Sequence, residues 1–134
     1  MHIDPTEEAA LAFVRRNPQG PLVMVNLLRF RAQADYAQAP GLGGAGRSGR
    51  EAYGLYEAAI QPLLEASGGE VLFDGVGGGW FIGPEAERWD RVLMVRQASL
   101  EAFFAFAQMP EAQVAAAHRR AALEDSRLLP VLPR

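Results

Sequence analysis

Trp89-Asp90-Arg91-Val92-Leu93-Met94-Val95-Arg96, running almost directly into the Phe-rich segment Ser99 to Ala107, is the stretch on which the fold turns. Its apolar residues fill alternate and intervening positions, as in a strand buried on both faces, and a helix-like segment follows, so it reads as the second half of a β-α-β unit. A matching run, Leu22-Val23-Met24-Val25-Asn26-Leu27-Leu28, opens the first half. There Leu22, Met24 and Leu28 point one way and Val23, Val25 and Leu27 the other, just as Val92 and Met94 oppose Leu93 and Val95.

Working outward, Asp4-Pro5-Thr6-Glu7 reads as an N-cap, a proline at the first helical position and a glutamate three residues after the cap. A helix to about Arg16 follows, and residues 1–19 form an N-terminal helical extension. Residues 31–47 form a long Ala-, Gly- and Pro-rich connection without periodicity. Ser48-Gly49-Arg50-Glu51 is a capping box opening a helix on which Tyr53, Tyr56, Ile60, Leu63 and Leu64 share a face, and Gly68-Gly69 ends it. Val71 to Asp74 and Trp80 to Ile82 are short β-type pieces, either one bulged strand or a hairpin. Ser99 caps the next helix, Pro110 breaks or kinks it, and Arg127 to Leu132 forms a last strand with Pro130 best placed at a sheet edge.

The order is a helix and then β-α-β-β-α-β: an α+β, ferredoxin-like single domain over residues 1–134, with helices on one face of an antiparallel sheet. The apolar second face then needs a cover. A helix of about a dozen residues is too small to span four strands, so the expected cover is a second copy packing sheet to sheet, in preference to the N-terminal helix folding across.

Composition narrows the function classes. The chain has 134 residues, 49% of them apolar, and no run near the roughly 18 apolar residues of a membrane span. No membrane partner is expected, and the cytoplasm is the expected location because His2, Asp4, Glu7 and Glu8 are unlike a secretory signal. Without cysteine there is no disulfide, thiolate metal site or cysteine nucleophile. All thirteen basic residues are arginines, which removes Schiff-base and P-loop lysine chemistry. The arginines are scattered and the net charge is −3, which argues against a nucleic-acid partner.

Four sequence blocks resemble the dimeric alpha-beta barrel superfamily and, within it, the family catalogued as domain of unknown function thirteen-thirty. These are Val25-Asn26-Leu27-Leu28-Arg29-Phe30; Ser48-Gly49-Arg50-Glu51-Ala52-Tyr53; Gly83-Pro84 with Arg88-Trp89-Asp90; and His118-Arg119 with Ala121 to Leu128. The resemblance implies two ferredoxin-like subunits joining sheets into a shared barrel, and, as in the superfamily's enzymes, a small-molecule cleft between sheet and helices. Relatives at superfamily level include cofactor-free monooxygenases, lactone isomerases and haem-degrading enzymes, and fold does not choose among them. Gln97-Ala98 departs from the family's Tyr-Pro at that point.

His118, the only histidine within an expected helix, is the candidate catalytic base. The structural alternative is a histidine hydrogen-bonded to Asp90 or Asp125. Asn26, an amide in an otherwise apolar strand, needs partners if buried and is a candidate ligand contact. Tyr53, Tyr56 and Trp89 are candidate cleft aromatics, with a core role as the alternative, and Arg96 and Arg119 are candidate holders of an anionic group. Glu124 to Arg127 reads as a helix-to-strand joint, with local capping and strand-end pairing preferred over ion pairs with Arg119 or Arg120. Gly41-Leu42-Gly43-Gly44-Ala45-Gly46 matches the dinucleotide glycine pattern but stands too far from its strand, so it reads as a loop able to close over a cleft. Neither a metal site nor a cofactor is expected. The function read is that of a homodimeric small-molecule-binding protein, a cofactor-free enzyme of monooxygenase or isomerase type or else a non-catalytic metabolite-binding or interaction dimer.

Overall fold

The computed structural model describes residues 1–43 and 46–134. Helix α1 (Glu7–Arg16) precedes strand β1 (Leu22–Phe30); helix α2 (Gly49–Ala66) leads to β2 (Glu70–Val76) and β3 (Arg91–Gln97); helices α3 (Leu100–Ala107) and α4 (Pro110–Ala122) lead to β4 (Leu123–Val131). The four strands form one sheet in the order β2-β3-β1-β4, with every neighbouring pair antiparallel. The architecture is α+β. The two apolar runs are adjacent central strands, registered Asn26 to Leu93 and Val25 to Met94.

Local chemistry accounts for the element ends. Ser48 Oγ accepts from Glu51 N at 3.0 Å while the Glu51 carboxylate accepts from Ser48 N at 3.0 Å, so the capping box forms as expected. Those bonds hold the Glu51 carboxyl below its ordinary range. Ser99 caps α3, and the missing N–H of Pro110 falls harmlessly at the start of α4. The first helix departs from expectation: Thr6, not Asp4, is its N-cap, because Asp4 is drawn into a 3.0 Å ion pair with Arg120.

The hairpin and last strand also differ in detail. β2 carries a bulge between Val71 and Phe73 and forms a hairpin with β3. Trp80 to Ile82 are not strand; beyond a Gly79–Arg88 bridge they form the loop, tied by the Trp80 indole donating to Glu87 at 2.8 Å. β4 begins at Leu123, four residues before the expected start. Leu123 is fully buried and follows the last helical residue at once, leaving no room for a joint. Pro130 does lie on an edge strand.

The core fills one face of the sheet. Leu28, Phe30 and Leu93 pack with Ala52, Tyr53, Ala122 and Leu123, while Leu22 and Met24 pack with Phe13 of α1 and Leu100 of α3. Helix α1 therefore joins the same layer as the other helices and leaves the second face bare. Across that face, Phe73, Met94, Val25 and Leu129 stand in register on all four strands. Phe73 is 55% and Leu129 61% exposed, an apolar row of the kind that marks an interaction surface.

Candidate functional site

The connection 31–47 is more ordered than its composition suggests. Arg31 N donates to Ala122 O, Asp35 N to Ala121 O and Ala34 N to Arg47 O, so its two ends are laced to each other and to the end of α4. Pro40–Leu42 forms a single 3-10 turn. The glycine pattern Gly41 to Gly46 lies partly outside the described residues.

This lacing sets Tyr36 beside His118. Tyr36 Oη lies 2.7 Å from His118 Nδ1, and Arg47 Nη1 donates to the same oxygen at 3.1 Å, with the guanidinium 5.5 Å from the Tyr36 ring centre. A guanidinium can only donate, so the phenol oxygen accepts from Arg47, and its own hydrogen can go to His118 when Nδ1 is unprotonated. In the tautomer with its hydrogen on Nε2, His118 Nδ1 accepts from the phenol; in the other, Nδ1–H donates to the phenol oxygen. Burial, and then the Arg47 charge, lower the imidazole pKa below its ordinary value, which favours the neutral ring. The partner of His118 is thus Tyr36, and neither Asp90 nor Asp125. Those carboxylates are engaged elsewhere: Asp90 accepts from Phe30 N, and Asp125 from the backbone N–H groups of His2 and Ser126 and from Arg127.

Beside this line of groups is a groove of about 250 Å³ lined by Arg31, Asp35, Tyr36, Gln38, Ala117 and Arg120, among others. Arg31 Nε is shut from water without an acceptor among the described residues, a situation costing about 1–3 kcal/mol where nothing relieves it.

The remaining candidates separate into two groups. Asn26, Tyr53, Tyr56 and Arg119 belong to the layer between sheet and helices. Asn26 is half-buried and donates to Met24 O of its own strand at 3.2 Å, which leaves its side-chain carbonyl for another donor. The Tyr53 and Tyr56 rings are 5.3 Å apart, and burial raises both phenol pKa values, so both stay neutral. Arg119 is close enough for its charge to be felt at both phenols; it donates to Ile3 O and lies 3.4 Å from Ser126 Oγ. Trp89 and Arg96 lie elsewhere. Arg96 is registered with Val23, so it projects onto the bare face. Trp89 is buried beneath the guanidinium groups of Arg29 and Arg127, at 5.9 and 5.0 Å.

In the Glu124–Arg127 stretch the carboxylates pair locally and with Arg29, as strand-end pairing, and form no ion pair with Arg119 or Arg120 among the described residues. Arg29 lies 3.3 Å from Glu124, and Arg127 pairs with Asp125 at 2.8 Å. The strand begins early enough to face these carboxylates toward Arg29, while Arg120 turns to Asp4.

Sequence reasoning missed Arg31, Tyr36 and Arg47, all in the connection read as featureless. The available signal was Tyr36 itself, an aromatic in an otherwise Ala-, Gly- and Pro-rich stretch. Among the described residues no group of three or more His, Asp or Glu side chains is placed to hold a metal ion, and no helix is long and apolar enough to cross a membrane.

Over 99% of its length the chain is 37% identical to a protein of unknown function from Rhodopseudomonas palustris, covering 97% of that protein with a TM-score of 0.89. It belongs to that protein's family. A methylated form of a protein described under the same designation superposes equally well, at 38% identity and a TM-score of 0.88, with 99% of this chain and 95% of that one covered. A protein of unknown function from Bacteroides fragilis, described as dimeric and ferredoxin-like, shares the fold at 15% identity, with a TM-score of 0.50 over 84% of this chain and 95% of its own. No family model and no curated protein matches. The family therefore fixes the architecture, and the chemistry has to be argued from Tyr36, His118 and their neighbours.

Proposed function

We propose that this chain acts as a homodimer that binds a small organic molecule and moves a proton on it without a cofactor, in the manner of an isomerase. The observation that carries the reading is Tyr36 Oη held between Arg47 Nη1 at 3.1 Å and His118 Nδ1 at 2.7 Å. A neutral His118 takes the phenolic proton at Nδ1, and Arg47 stabilises the phenolate left behind. The phenolate removes a proton from the substrate, and His118 then gives its proton back by way of Tyr36. His118 is thus the base named from the sequence, acting through Tyr36.

Asn26, Tyr53, Tyr56 and Arg119 form the inner wall of the ligand space in this reading; Tyr36 and Tyr56 both pack against the cluster around Tyr53. The homodimer is supported by the bare apolar row from Phe73 to Leu129, and the Bacteroides protein is described as dimeric.

A non-catalytic metabolite-binding dimer is favoured by one feature: with Nδ1 already hydrogen-bonded to Tyr36, His118 has only Nε2 left to offer a ligand. Proton exchange separates the two. Ligand carried through purification is identified by mass spectrometry and returned to the protein in D2O, and deuterium entry at its carbon-bound positions is followed by NMR. Exchange that falls at least a hundredfold in Tyr36→Phe supports catalysis. Saturable binding with no exchange identifies a binding protein and rejects the enzyme reading.

A further inference from the structure

We infer that the groove beside Tyr36 takes the carboxylate of a small organic anion, with Arg31 as its anchor. This rests on the acid-base reading above and names the class of molecule that site receives.

The charged groups of the groove are not alike. Arg120 Nε is answered by Asp4 at 3.0 Å, and Asp35 Oδ1 accepts from Ala37 N at 2.9 Å. Arg31 is the exception. It lines the groove, its Nε is enclosed without an acceptor, and it forms no ion pair among the described residues. It is also held in place: its N–H donates to Ala122 O at 2.9 Å and its carbonyl accepts from Gly49 N at 3.1 Å, fixing the backbone between β1, α2 and the end of α4. The backbone is fixed and the guanidinium keeps spare donors, and a guanidinium fork matches the two oxygens of a carboxylate, a geometry that a point charge does not select.

The surrounding field has the same sign. Arg47 stands at the Tyr36 end, its guanidinium 5.5 Å from the Tyr36 ring centre, and its positive charge favours an anion there. Arg120 is offset by Asp4, leaving Arg31 and Arg47 against the one groove carboxylate, Asp35, and hence a net positive charge. At about 250 Å³ the groove falls below the roughly 300–1,000 Å³ of pockets enclosing drug-sized ligands, which points to a small metabolite. A carboxylate on Arg31 would place the rest of such a molecule toward Tyr36 Oη. An ionised carboxylate opposes carbanion formation beside it, and a cation bound to it offsets that charge, which Arg31 would supply.

The test compares sodium acetate and sodium benzoate with acetamide and benzamide, their near-isosteric neutral amides, on the intact protein. The His118 imidazole is followed by long-range proton–nitrogen NMR at constant ionic strength. The carboxylates are expected to shift the His118 signals saturably and to raise its pKa, with the amides at least tenfold weaker. Arg31→Gln should remove the carboxylate preference, and Arg31→Lys, which keeps the charge without the fork, should retain part of it and guards against a folding defect in the glutamine variant. Equal affinity for acetate and acetamide, or an unchanged preference in a folded Arg31→Gln protein, overturns the inference. If that happens while Tyr36-dependent exchange persists, only the substrate class is wrong. If His118 responds to neither set and no exchange occurs, the acid-base reading falls as well.

Discussion

Tyr36 and His118 are 82 positions apart in the chain, yet the phenol oxygen and imidazole Nδ1 meet at 2.7 Å. They do so because the start of the connection after β1 is bonded to the carbonyls of Ala121 and Ala122 at the end of the helix that carries His118.

Replacing Tyr36 with Phe removes one partly buried hydrogen bond to His118 and one of the two acceptors of Arg47, which keeps Leu42 O. The expected cost is about 0.5–1.5 kcal/mol, a Tm lower by a few degrees. In imidazole NMR the Nδ1 signal of His118 should move as this hydrogen bond is lost. An unchanged His118 spectrum would mean that the two side chains do not bond in solution.

The depressed His118 pKa has a signed consequence. Because the folded value lies below the unfolded one, near ~6.5, the unfolded chain binds more protons in that window and stability falls as pH drops through it. Above the window the effect vanishes. The Tm of His118→Gln should show a flatter pH profile between about pH 7 and 5 than the parent, as read by calorimetry; parallel profiles would contradict the shift.

The two faces of the sheet should answer differently to a charge. Leu93→Asp puts a carboxylate in the helix-covered core, where Leu93 is 6% exposed, and should cost on the order of 4 kcal/mol or more. Leu129→Asp lies on the bare face, 61% exposed, and should leave a folded monomer. Light scattering together with circular dichroism reads both. A dimer that survives Leu129→Asp with unchanged affinity would place the interface elsewhere.

Gly49 is required by close approach and has no positive φ to demand it. A Cβ there would collide with the Arg31 carbonyl oxygen and lie 2.7 Å from that of Ala122, both backbone atoms. Gly49→Ala should therefore destabilise the fold by about 2–4 kcal/mol, although alanine is the better helix former. Denaturant titration showing a more stable variant would disprove the crowding.

The sequence by itself determined most of the elements, while the Trp80–Ile82 loop, the early start of β4 and the Thr6 cap came from the structure. Alternation of apolar residues in two nine- and seven-residue strands, the Ser48–Glu51 capping box, Ser99 and Pro110 are local signals, and local signals govern where helices and strands begin and end. The apolar second face was legible for the same reason, since a strand's two sides are written in its odd and even positions. The site was not legible in this way. His118 could be named because histidine is rare here, but its partner lay in a connection with no periodicity, and hydrogen bonds between distant segments leave no spacing to read. Only the tertiary structure decided that Tyr36 and Arg47 flank His118, that Arg96 and Trp89 lie apart from Tyr53, and that Asp4 serves Arg120 instead of capping α1. Those outcomes depend on which donors and acceptors the packed chain brings within about 3 Å of each other, a matter of three-dimensional geometry on which the order of residues is silent.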